Sequence, residues 1–127
     1  MDTDTIINII VIALLALFVY NRMKPASGLK TLKAGEFQQE LSKNPMLIDV
    51  REPDEYKAGF ISGARNIPLS QLSKRVNEIP KDEPILLYCR SGIRSKSAAR
   101  VLLKNGYTNL THLQGGLGGW NGKLTRS

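Results

Sequence analysis

Cys89 is the only cysteine in 127 residues, and its surroundings are the part of the chain best equipped for chemistry. It follows the apolar run Ile85-Leu86-Leu87-Tyr88 and opens the stretch Arg90-Ser91-Gly92-Ile93-Arg94-Ser95, with a helix expected to start near Ser95. A strand, a tight loop containing glycine and a helix N-terminus form an anion cradle, because backbone N–H groups converge there and the helix dipole adds positive charge. The thiolate is the form of cysteine that such a cradle stabilises, and it is also the nucleophile. Arg90 and Arg94 add full charges nearby. This pattern describes a nucleophile activated by its environment, with no dedicated base. The plainer alternative is a buried cysteine acting as a small hydrophobe beside solvated arginines. Gly92 and Arg94 at their offsets from Cys89 tip the reading towards function. One cysteine and one histidine cannot build a protein-only zinc site, and a lone cysteine forms no internal disulfide. Chemistry without metal or cofactor is therefore expected.

The elements that must position this loop are legible as alternating strands and helices. Met46-Leu47-Ile48-Asp49-Val50 and Ile85–Tyr88 are compact apolar runs suited to the centre of a sheet covered on both faces. Phe37 and Leu41 lie four apart in a helix expected over 34–43. Leu69, Leu72, Val76 and Ile79 mark another, stopped by Pro80. The helix over 95–105 buries Ala98, Ala99, Val101, Leu102 and Leu103, turns Lys96, Arg100 and Lys104 outward, and ends at Gly106. Further short strands are expected near Ala64-Arg65-Asn66-Ile67 and Thr111-His112-Leu113. The alternation predicts an α/β fold, a mostly parallel sheet flanked by helices on both faces, with ligands beyond the carboxyl ends of the strands.

The net charge is +7, and its distribution matters more than its size. No acidic residue follows Glu83, whereas Arg90, Arg94, Lys96, Arg100, Lys104, Lys123 and Arg126 all do. A one-signed C-terminal third attracts anions: small oxyanions, acidic partners or phospholipid headgroups. Nucleic acid is not expected, because no exposed aromatics are interleaved with these cations and Trp120 reads as core.

Residues 6–20 form an apolar run broken only by Asn8. As helix, its 15 residues reach about 22 Å, and flanking Thr3, Thr5, Asn21 and Met23 bring it close to the roughly 30 Å of a hydrocarbon core. The run lacks the polar interruptions of a core helix and the basic start of a signal peptide, so an uncleaved anchor over 1–24 is expected. Asp2 and Asp4 precede the run, whereas Arg22, Lys24, Lys30 and Lys33 follow it. The charge bias predicts a single-pass cell-membrane protein with its globular part in the cytoplasm. Residues 25–28 read as a linker, and residues 29–127 as one domain.

The segment Cys89-Arg90-Ser91-Gly92-Ile93-Arg94-Ser95 resembles the active-site loop of rhodanese-like domains. Asp49-Val50-Arg51-Glu52 and Glu55-Tyr56, through Gly59, Ile61, Gly63, Ala64, Asn66, Ile67 and Pro68, resemble the family's first signature. Leu113, Gly115, Gly116 and Trp120 resemble its C-terminal one. The likeness covers about 29–121, with one departure: Phe60 stands where the family often has histidine, at a position expected to be structural. The resemblance implies a sulfurtransferase rather than a phosphatase, since the arginine comes five residues after Cys89 and the loop is the tighter form. It implies that Cys89 takes sulfur from thiosulfate or a similar anionic donor, with residues 90–95 holding the transferred sulfur and Arg90 and Arg94 steering the anion. The persulfide then passes to a thiol, protein or other nucleophilic acceptor. Asp49 and Arg51 are implied to flank the site, and a salt bridge stiffening the turn is the other reading of that pair. No histidine is expected near the loop, and His112 reads as a half-buried strand residue without a role. Two rivals use the same residues: a membrane-bound persulfide carrier or sulfur sensor that docks a partner on the basic face, and a catalytically inactive scaffold.

Overall fold

The computed structural model describes residues 2–23 and 28–126. The expected cations Arg22, as a side chain, and Lys24 lie outside the described residues, as do residues 25–27 of the expected linker. Helix α1 (Thr3–Met23) has 21 residues, about 31 Å at helical rise. Its stretch Thr3–Tyr20 has a mean hydropathy of 2.2 and no buried residue. Among the described residues it is the one helix long and apolar enough to cross a membrane. A membrane anchor and a signal sequence both take this form.

The remaining elements are β1 (Leu29–Leu32), α2 (Ala34–Leu41), β2 (Met46–Asp49), α3 (Pro53–Ala58), β3 (Arg65–Asn66), α4 (Leu69–Arg75), β4 (Ile85–Tyr88), α5 (Ile93–Lys104) and β5 (Leu110–Leu113). A 3-10 turn over Val76–Glu78 continues α4, and another spans Gly116–Gly119. The five strands form one sheet in the order β1-β5-β4-β2-β3, and every adjacent pair is parallel. The expected parallel α/β sheet is present.

Strand alternation sorts the core into two clusters. Ile85, Leu87 and Cys89 join Ile48, Val50, Ala98, Ala99 and Leu102 in one of them. Leu86 and Tyr88 join Phe37, Leu47 and Leu113 in the other. Because successive side chains of a strand point to opposite faces, Cys89 extends the odd-numbered row that packs beneath α5. The sequence of β4 therefore delivers the sulfur to the N-terminus of that helix.

Three local features differ from expectation. Helix α5 starts at Ile93, two residues early, because Gly92 adopts a left-handed φ of 101° and turns the chain straight into the helix. Strand β1 pairs with β5 at the sheet edge, where Lys30 and Thr31 blur its apolar pattern. Helix α3 is a short element with Pro53 in its first turn, and the Glu55 carboxylate accepts the Glu52 amide at 3.1 Å.

Candidate active site

Three segments meet at the carboxyl ends of β4, β2 and β5. The loop after β4 bends so that Cys89 Sγ lies beneath the first turn of α5. It accepts the Gly92 amide N–H at 3.0 Å and the Ser95 amide N–H at 3.4 Å. The Ser95 hydroxyl lies 3.7 Å from the sulfur. Cys89 has no exposed surface, yet its thiol points into polar backbone and not only into the hydrocarbon of the core. Of the amides over residues 90–95 expected to cradle the sulfur, those of Gly92 and Ser95 donate to it directly. Arg90, Ser91 and Ile93 face outward, Ile93 at 73% exposure.

The C-terminal turn clamps the start of this loop. Leu117 N–H donates to the Cys89 carbonyl at 2.9 Å, and Gly118 N–H donates to the Arg90 carbonyl at 3.1 Å. Gly116, at a φ of +57°, passes so close that a β-carbon there would lie 2.6 Å from the Arg90 carbonyl. Gly116 therefore serves backbone contact with the cysteine loop.

The two arginines of the loop have different fates. Arg94 forms a two-pronged ion pair with Glu55 of α3, Nη1 to Oε1 at 2.6 Å and Nη2 to Oε2 at 2.9 Å. Its hydrogen bonds hold the Glu55 carboxyl down at about 2. The charge of the Arg94 guanidinium, expected to steer an anionic donor, is thus matched by a carboxylate that sequence reasoning had placed only within a signature. Arg90 is exposed and has no ion pair among the described residues.

Asp49 and Arg51 form a buried pair at the end of β2. Arg51 Nη2 lies 2.7 Å from Asp49 Oδ2, and its Nε lies 3.0 Å from Oδ1. The same Nη2 donates to the Gly59 carbonyl at 2.6 Å, and the guanidinium lies over the Tyr88 ring. Asn66 completes the turn by donating to the Asp49 and Arg51 carbonyls at 3.0 and 2.9 Å. The structure thus shows the stiffening salt bridge. Arg51 also lines a cavity of about 370 Å³ together with Glu55, Ala58, Arg90, Leu117 and Gly118. Phe60, at the family's histidine position, stacks on Tyr56 with ring centroids 4.1 Å apart.

His112 corrects an expectation. It is 1% exposed, not half-buried, and it sits against the loop with Nδ1 2.8 Å from Ser95 Oγ. Its Nε2 lies 3.1 Å from Thr31 Oγ1. The parallel register pairs His112 with Leu87, which puts the imidazole on the α5 side of the sheet beside Cys89. The alternation of Leu110 and His112 was the signal that could have placed it. Burial, and secondarily Lys96, pushes its pKa down. A second cavity of about 350 Å³ opens on this side, lined in part by Thr31, Gly92, Lys96 and His112.

Comparison with known proteins agrees with this geometry. Residues 33–123 match the rhodanese-like domain family. The protein YqhL of Bacillus subtilis is 47% identical over 114 residues, covering 90% of this chain and 86% of that one. A sulfurtransferase of Allochromatium vinosum is 38% identical over 79 residues, covering 62% of this chain and 74% of that one. The crystal structure of a rhodanese-related protein from Thermoplasma volcanium superimposes with a TM-score of 0.71 at 27% identity, covering 77% of this chain and 99% of that one. With the family matched over residues 33–123, which hold strands β2 to β5 and the cysteine loop, this chain belongs to the rhodanese-like domain family.

Proposed function

We propose that the chain is a sulfurtransferase in which Cys89 carries sulfur as a persulfide. The observation that carries the reading is the Cys89 sulfur held by the Gly92 and Ser95 amides at the N-terminus of α5. Hydrogen bonds of this kind favour a charged sulfur, first as thiolate and then as the terminal sulfur of a persulfide. Relatives named as sulfurtransferases, including that of Allochromatium vinosum, support the assignment.

The reaction balances without an oxidant. Cys89 thiolate attacks the outer sulfur of thiosulfate, a new S–S bond forms, and the donor's S–S bond breaks with its electron pair leaving on sulfite. An acceptor nucleophile, cyanide in an assay or a thiol in a cell, then attacks the outer sulfur and returns the thiolate. Sulfite leaves as a stable anion, so no general acid is required. Arg90, a loop cation with no ion pair among the described residues, attracts the donor from the cavity it shares with Arg51. The backbone of residues 90–95, Ser91 and Ile93 included, walls the transferred sulfur. Arg94 braces the loop through Glu55, and the Asp49–Arg51 pair fixes the adjoining turn. Cys89→Ser tests the assignment: it should abolish sulfite release from thiosulfate, and retained release would refute it.

The proposal also covers placement. Residues 1–24 anchor the protein in the cell membrane, residues 25–28 link, and the domain over 29–127 works in the cytoplasm. The length and apolarity of α1 and the acidic-to-basic charge bias support this. Protease added outside spheroplasts should leave the domain intact, and its digestion would reverse the orientation.

A further inference from the structure

We propose that His112 is a positioning residue for sulfur transfer: held between Thr31 Oγ1 and Ser95 Oγ, its imidazole fixes the Ser95 hydroxyl as a donor to the Cys89 sulfur. The inference rests on the reading of Cys89 as the sulfur carrier.

The argument is one of hydrogen-bond accounting. The Ser95 hydroxyl has a single proton and two lone pairs. Its oxygen lies 3.0 Å from the Gly92 carbonyl, 2.8 Å from His112 Nδ1 and 3.7 Å from Cys89 Sγ. The Gly92 carbonyl can only accept. All three contacts are satisfied together when Ser95 donates to Gly92, His112 Nδ1–H donates to Ser95, and the Cys89 thiol donates to Ser95. Nε2 is then an acceptor, and the Thr31 hydroxyl at 3.1 Å supplies its proton. Burial favours the uncharged ring that this arrangement needs.

When Cys89 ionises, the thiol no longer donates, and the Ser95 proton swings from Gly92 to the sulfur. The Gly92 carbonyl keeps the Lys96 amide, 3.3 Å away. Throughout, the Nδ1–H bond occupies a lone pair of Ser95 and strengthens its O–H as a donor. Thr31 and His112 thus act from β1 and β5 on a sulfur that neither touches.

The tests use the full chain, in which His112 and Cys89 are the only residues of their kinds. Long-range proton–nitrogen NMR of the imidazole at neutral pH should show the Nδ1–H tautomer. An Nε2–H tautomer or an imidazolium would overturn the proposal, and this measurement needs no variant. His112→Leu should lower kcat for sulfur transfer about tenfold, the cost of one hydrogen bond serving a charged group, with KM for thiosulfate unchanged. His112→Asn, which restores an N–H near Nδ1, should recover most of it. In a Ser95→Ala background the same His112→Leu change should cost nothing further. A wild-type rate in His112→Leu, or a loss that persists undiminished without the Ser95 hydroxyl, would overturn the role of His112. Wild-type protein that accepts no sulfur would instead refute the carrier reading, and the tautomer would still decide the hydrogen-bond assignment.

Discussion

Replacing Gly116 by alanine asks whether the C-terminal glycine turn holds the cysteine loop in shape. Gly116 has a φ of +57°, and a β-carbon there would lie 2.6 Å from both the carbon and the oxygen of the Arg90 carbonyl. These are backbone atoms, so no side chain can swing aside. Relief requires the turn to retreat from the loop, which stretches the Leu117–Cys89 and Gly118–Arg90 hydrogen bonds of 2.9 and 3.1 Å. A left-handed backbone costs a non-glycine residue about 1 kcal/mol, and two weakened hydrogen bonds add about 1 kcal/mol each. The total of about 3 kcal/mol corresponds to a fall of about 15 °C in Tm for a domain of roughly 100 residues. Gly115→Ala is the matched control. It has a φ of +74°, but its β-carbon would meet nothing closer than the Gly119 nitrogen at 4.0 Å. That variant should lose only about 5 °C, from the conformational cost alone. Thermal unfolding followed by circular dichroism gives the comparison, and sulfite release measured well below both melting points gives the activity. Gly116→Ala should fall below Gly115→Ala in both. Equal Tm and equal activity in the two variants would refute the close-contact argument.

Other parts of the site give separate tests. Asp49→Ala leaves the Arg51 guanidinium buried without its carboxylate, so denaturant unfolding should show a loss of about 3–5 kcal/mol. Arg90→Ala removes an exposed cation from the loop and should raise KM for thiosulfate several-fold with kcat little changed; an unchanged KM would deny it a role in donor capture. The Glu55 carboxyl, held at about 2 against an ordinary value of 4.5, contributes stability that is complete above pH 4.5. That contribution is lost as pH falls from 4.5 through about 2. Glu55→Gln should remove this acid-side slope, worth about 1 kcal/mol for a partly exposed pair, in chemical unfolding measured across that range.

Much of this architecture was legible because it depends on period and punctuation. The apolar runs over Met46–Asp49 and Ile85–Tyr88 have the length and two-sided apolarity that suit central strands, and the glycine after Cys89 suits a tight turn into a helix. What the sequence concealed depended on pairing across the fold. Arg94 looks like a free cation along the chain, yet its partner Glu55 is 39 residues away on α3. His112 reads as an ordinary strand residue until the register of β5 against β4 sets it beside Ser95. Strand β1 carries two polar residues in four and becomes a strand only because the edge of β5 is there to pair with. Local pattern reveals where a nucleophile sits, whereas the partners of its supporting side chains are fixed by contacts that no local pattern encodes.

The central claim is that a single sulfur, ligated by loop amides, accepts another. Intact-mass spectrometry of the purified chain after exposure to thiosulfate tests it most directly. One added sulfur atom, removed by cyanide and absent from Cys89→Ser, is the result predicted. An unchanged mass, or a sulfur that persists on Cys89→Ser, would contradict it.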